Sequence, residues 1–156
     1  MKLEPQNLVL GENEYIIGRL DMFQSLNLTR LAAPFLPVLF NDVFKNVIKS
    51  LFESKKLKEA KIDDVLNEIS VAITVCEPVL IRFAQLPQED FNTVIKTCLS
   101  CVERKQDKHW FKVMESGVLR FTDIDQYEVL NLCFRVIVRE LRPIIAAYVQ
   151  SAQQVA

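Results

Sequence analysis

The chain has 156 residues, 50% of them apolar, and nineteen basic against twenty acidic side chains leave a net charge of -1. That length is enough for one domain to bury about 68–70% of its unfolded surface without metals or disulfides, and the even charge, with no face rich in Lys and Arg, excludes a nucleic-acid partner. The uncharged run Leu31 to Asn41 is broken by Pro34 and Pro37 and falls well short of the ~20 apolar residues of a spanning helix, so the chain is not expected to enter a membrane.

A mean hydropathy of +0.14 is then out of the ordinary, because one core of this size does not hide so much apolar surface. The opening stretch MKLEPQNLVL lacks the cationic start, apolar run and small-residue cleavage site of a secretory signal, which predicts a cytosolic protein with reduced cysteines.

The three glycines, Gly11, Gly18 and Gly117, mark the places where helical periodicity lapses. Over residues 7–18 the pattern predicts two short extended pieces, Leu8 to Leu10 and Tyr15 to Ile17, joined by the turn Gly11-Glu12-Asn13-Glu14. Asp21 with Gln24 three residues on forms a capping box for a helix through Met22, Phe23, Leu26 and Arg30 that ends near Pro34.

Pro37 opens a second helix whose stripe runs Phe40, Val43, Phe44, Val47, Ile48, Leu51 and Phe52. The charged segment 53–61 reads as a linker or frayed end. Next come Ile62, Val65, Leu66, Ile69, Ile73, Cys76, Leu80 and Phe83 in helical phase, bent at Pro78. Leu86-Pro87 starts a helix burying Phe91, Val94, Ile95, Cys98 and Val102, and residues 103–109, ERKQDKH, read as a solvated loop. Residues 110–121 suggest a hairpin turning at Glu115-Ser116-Gly117.

Thr122 with Asp125 resembles a second capping signature, opening a helix over 123–150. In that helix Glu128, Asn131, Arg135, Arg139 and Arg142 make one narrow polar stripe, and nearly all the remaining surface is apolar. Such a helix is central to a core or covered by something else. The fold expected is mainly α: a single domain, 1–156, forming a compact bundle of about five helices with a helical body over 21–104, a small β-hairpin near the N-terminus and a second around 110–121.

Little in this pattern supports chemistry. Cys98 and Cys101, spaced as Cys-x-x-Cys on a helix, could ligate zinc together with His109 and another cysteine. The stronger reading makes Cys98 part of an apolar stripe, where a thiol behaves as a small hydrophobe. His109 has only Asp107 nearby as an orienting carboxylate, and helix capping accounts for Asp123 and Asp125. No catalytic residue, metal or cofactor is expected. Arg30, among Leu26, Leu31 and Ala33, reads either as a snorkelling surface arginine or as a group reaching a carboxylate, helix-end carbonyls or an interface.

The order of these features resembles the phage tail assembly chaperone family. The N-terminal signature lies in Gly18-Arg19-Leu20, Gln24, Arg30 and Leu31-Ala32-Ala33-Pro34, and the C-terminal one in Trp110, Gly117 to Phe121 and Asp123-Ile124. The chain departs from the family pattern in having Ser25-Leu26-Asn27-Leu28 and the single Arg30 where an aromatic-His-Val run and paired arginines stand. Residues 42–104 share only their helical character.

The resemblance implies a non-catalytic protein of the host bacterial cytoplasm, absent from the finished virion. It would bind the apolar tape-measure protein and, with the tail-tube protein, assist tube assembly. It makes Gly18, Arg19, Gln24, Arg30, Pro34, Trp110, Gly117, Phe121 and Asp123 the positions of interest. Of these, Gly18, Arg19, Arg30 and Pro34 read first as fixing the strand-to-helix corner and second as a client contact. The alternative is a small helical regulatory protein of phage or bacterial origin whose apolar surface makes a homo-oligomer.

Overall fold

Two apolar alternations meeting at a glycine begin the fold. In the computed structural model, which describes residues 4–35, 77 and 81–155, strands β1 (Gln6–Leu10) and β2 (Asn13–Ile17) pair antiparallel around Gly11 at φ 59. A side chain there would be strained, and glycine is not. Alternation places Leu8, Leu10, Tyr15 and Ile17 on one face, where Tyr15 and Ile17 are fully buried; each such side chain contributes about 2–3 kcal/mol.

By contacts the chain forms two units, one of 1–31 with 88–156 and the other of 32–87. In the second, the described residues give a 3-10 turn, Ala33–Phe35, and a helical turn over 81–84. The helix expected from Pro37, the linker 53–61 and the stripe from Ile62 to Leu80 lie outside the described residues.

The first unit carries the sheet. Helix α1 spans Met22–Ala32 and helix α2 spans Gln88–Ser100, with Glu89 and Asp90 complementing the positive end of its dipole. The chain then leaves the helix for β3 (Val102–Gln106), which pairs with β2, and turns at Asp107 into β4 (His109–Lys112). The result is a four-stranded antiparallel sheet in the order β1-β2-β3-β4.

A separate two-stranded ribbon follows, β5 (Met114–Glu115) and β6 (Val118–Leu119). Its loop residues Ser116 and Gly117 are both left-handed, at φ 52 and 76, as a two-residue hairpin loop whose twist matches the strands requires. Helix α3, Gln126–Val155 with Pro143 inside it, completes the unit and packs on α2. One core joins Leu28 and Leu31 of α1, Cys98 and Leu99 of α2, the inner face of the sheet, and Leu132 and Val136 of α3.

The mainly α expectation of a five-helix bundle is therefore wrong: the fold is mixed α and β, and two sheets are present among the described residues. The physical reason lies in residues 103–106, read as solvated loop. They form the inner strand β3, but the inward position after Val102 is Arg104, whose side chain is only 11% exposed. A charge on the buried face erases the period-two signal that betrays a strand. Val102, read as the last helical core position, is the first residue of that strand. The single hairpin expected at 110–121 is two: β3–β4, and β5–β6 turning at Ser116-Gly117.

Candidate protein-interaction surface

The surface is set by how α1 and α3 are held. At the start of α1 the Gln24 N–H donates to Asp21 Oδ1 at 2.9 Å and the Asp21 N–H donates to Gln24 Oε1 at 3.3 Å. This reciprocal arrangement is the expected capping box. α1 buries Leu28, Leu31 and Ala32 and anchors to α3 through Ser25 Oγ, which donates to Glu140 Oε2 at 2.6 Å. Its outward face is apolar: Met22 is 70% exposed, Phe23 84% and Leu26 58%.

The cap of α3 lies three residues later than Thr122 and Asp125 suggest. Asp125 is itself the cap: the Glu128 N–H donates to Asp125 Oδ1 at 2.7 Å and the Asp125 N–H to Glu128 Oε2 at 3.2 Å. The other oxygen of Glu128, which is 7% exposed, accepts from Asn13 Nδ2 at 2.9 Å and from the Tyr15 hydroxyl at 3.1 Å. Burial, then the charge of Glu128, push the Tyr15 hydroxyl well above the usual phenol range, so it stays a donor.

A further turn along, Asn131 is fully buried, donating to the Tyr127 hydroxyl and accepting from Arg135 Nε at 2.7 Å. Arg139, also buried, points its guanidinium at the end of β2. It donates to the carbonyls of Ile17 at 2.7 Å and Gly18 at 2.9 Å, and to that of Glu4.

The polar stripe of α3 thus faces inward. Three of its members, Glu128, Asn131 and Arg139, are buried, while Tyr127 is 53% exposed, Leu130 42% and Val138 39%. Burying polar groups is tolerable because each has partners; the apolar face is what remains outside. The sequence showed the stripe but not which way it faces, so the roles of Arg139 and Glu128 were not found. The available signal was its narrowness on a helix apolar nearly all round.

Gly18 ends β2 with its N–H on the Cys101 carbonyl at 2.7 Å, and a Cβ there would lie 3.1 Å from that same oxygen. The corner of the chain therefore needs close backbone approach, and Arg139 braces it from the other side. Arg19 is exposed. Arg30 is also exposed and donates to Asn27 Oδ1 at 3.0 Å; among the described residues it reaches neither a carboxylate nor helix-end carbonyls. Pro34 lies in the 3-10 turn that follows α1, also exposed.

Two of the C-terminal signature residues, Phe121 and Asp123, meet at Arg104. Its guanidinium sits 4.6 Å from the centre of the buried Phe121 ring and pairs in a two-pronged fashion with Asp123 at 2.9 and 2.6 Å. The pairing holds the Asp123 carboxyl below the usual carboxylate range. Asp123 is therefore the partner of Arg104, and only Asp125 caps α3. Trp110 stands on β4 with Lys105 Nζ 5.9 Å from its ring centre, and Gly117 makes the ribbon turn.

The cysteines are part of the packing. Cys98 is fully buried, and the Cys101 thiol donates to the Cys98 carbonyl at 3.2 Å. Burial pushes Cys101 up to about 12, while a hydrogen bond with Cys133 and burial push Cys98 far above the ordinary thiol range. Both stay protonated and are poor metal ligands or nucleophiles. His109 lies edge-on to Phe111 on β4. Among the described residues no cluster of His, Cys, Asp and Glu could hold a metal ion, and no helix is long and apolar enough to cross a membrane.

No curated protein and no solved structure matches the chain. The model of the family described as phage tail assembly chaperone protein, TAC, matches residues 11–152. With nearly the whole chain covered, the chain belongs to the phage tail assembly chaperones.

Proposed function

We propose that the protein acts by binding alone, holding apolar helical segments of a tail tape-measure protein in soluble form while the tail-tube protein assembles around them. The observation that carries this reading is the reversal of α3. Its hydrogen-bonding groups serve the interior, and Tyr127, Leu130 and Val138 are left at the surface at helical spacing. An apolar stripe of that kind suits an amphipathic helix laid along it. Met22, Phe23 and Leu26 on α1 offer a second apolar face of the same character. Such a chaperone works in the cytoplasm of the infected host and leaves before the virion is complete.

The test is co-expression with the tape-measure protein. The wild-type chain is expected to raise the client's soluble yield and to co-purify with it. A variant carrying Leu130→Glu and Val138→Glu keeps its fold, because both positions are exposed, and loses the effect. No complex with the wild-type chain, or full activity of the double variant, refutes the reading.

A further inference from the structure

The four-stranded sheet has two outer edges, and they are built differently. β4 is four residues long, contains His109 and Lys112, and follows Lys108 in its turn. At Val113, still bonded to the Val102 carbonyl, the chain bends, and its carbonyl is taken by the Arg120 N–H. Shortness, lysines and a bend are the usual guards against further strand pairing. β1, one residue longer, has neither the lysines nor the bend. Its sequence, QNLVL, holds no charge, Pro5 precedes it, and its register with β2 runs without a bulge.

The register also fixes where its backbone groups point. Leu10 and Asn13 close a two-residue loop, so the amides of Leu10, Leu8 and Gln6 turn toward β2 and those of Asn7 and Val9 turn outward. An independent bond agrees with this parity: Gly18, just past β2 and an even step from Glu14 and Ile16, donates toward the β3 side, to Cys101. Asn7 and Val9 are exposed, Val9 at 66%. The edge is also pre-ordered, because Arg139 holds the Glu4 carbonyl just before the strand begins. Little backbone entropy is left to lose on pairing.

We propose that β1 is a dimerisation edge on which a second copy of this chain pairs antiparallel, each Asn7 opposite the other copy's Val9 and the two Leu8 residues meeting on the twofold axis. The occupant is a second copy because β1 is complementary to itself. In this register every outward N–H and C=O of Asn7 and Val9 finds a partner, and no like charges are opposed within the paired strands. Val9 gains cover on the solvent face. Pairing stops at two chains, since the charged β4 edge does not accept a β1 strand and a twofold contact closes on itself. A five-residue edge is smaller than a standard protein interface, so the dimer is expected to be concentration-dependent. The inference does not depend on what the helical faces bind.

Analytical ultracentrifugation over about a hundred-fold range of concentration decides it. The wild-type chain is expected to pass from monomer to dimer. Val9→Pro removes an outward N–H that the β1–β2 ladder does not use, and Val9→Lys places a charge on the edge. Each should weaken the dimer at least about tenfold while circular dichroism stays unchanged. Trp110→Lys, on the opposite edge, should leave it intact. A wild-type chain monomeric throughout, a species larger than a dimer, loss of the dimer in Trp110→Lys, or a dimer that survives both Val9 changes overturns the proposal. If Val9→Pro fails to fold, Val9→Lys decides alone.

Discussion

Helices α1 and α3 open with the same local device and differ in what it is connected to. Among the described residues the side chains of Asp21 and Gln24 bond to each other's backbone amides, at the surface. Asp125 and Glu128 make the same pair of bonds, but Glu128 reaches on to Asn13 and Tyr15, and Arg139 of the same helix ties down the end of β2. A cap of the first kind decides where a helix starts. One of the second kind also decides where the helix lies.

The largest effect expected from breaking this difference is at Arg139. Arg139→Met keeps much of the side-chain volume but removes a donor shared by three backbone carbonyls, and should cost about 3 kcal/mol, read from urea unfolding with an unchanged slope. Glu128→Ala comes next, at about 2–3 kcal/mol, because it removes the cap and the acceptor of a buried tyrosine together. Asp21→Ala should cost only about 1 kcal/mol. A loss at Asp21 equal to that at Glu128 would erase the distinction between the two caps.

The smallest effect is at Asp123 and depends on pH. Arg104 lowers its folded-state pKa, so the ion pair contributes fully above the unfolded carboxylate value of about 3.9 and is lost as pH falls through the folded value. Asp123→Asn should therefore be less stable than wild type near neutral pH, and the two should converge on acidification. A gap that widens toward low pH would mean that Arg104 is not the partner that matters.

The same contrast explains what could be read from the sequence. The hairpin at Gly11, the Asp21–Gln24 box and the end of α1 at Pro34 are local, and local chemistry specifies them. The family was also legible, through the order of Gly18, Gln24, Arg30, Pro34 and the Trp110 to Asp123 stretch. β3 was not, because the residue that faces inward beside Val102 is a charged one whose partners, Phe121 and Asp123, lie elsewhere in the chain. The inward direction of the α3 polar stripe was hidden for a similar reason. Glu128 and Arg139 are satisfied by Tyr15 and by the Ile17 and Gly18 carbonyls, more than a hundred residues away.

The inward stripe of α3 also works as a key. A helix greasy on most of its circumference could settle on a sheet in several rotations of similar burial, swallowing the surface it is meant to offer. Turning it by one residue, about 100°, or sliding it by one turn, about 5.4 Å, would leave Glu128 and Arg139 each without its lock on the N-terminal hairpin. Oil alone does not tell one face of such a helix from another; two polar teeth do, and they keep the sticky side from being consumed by the protein's own folding.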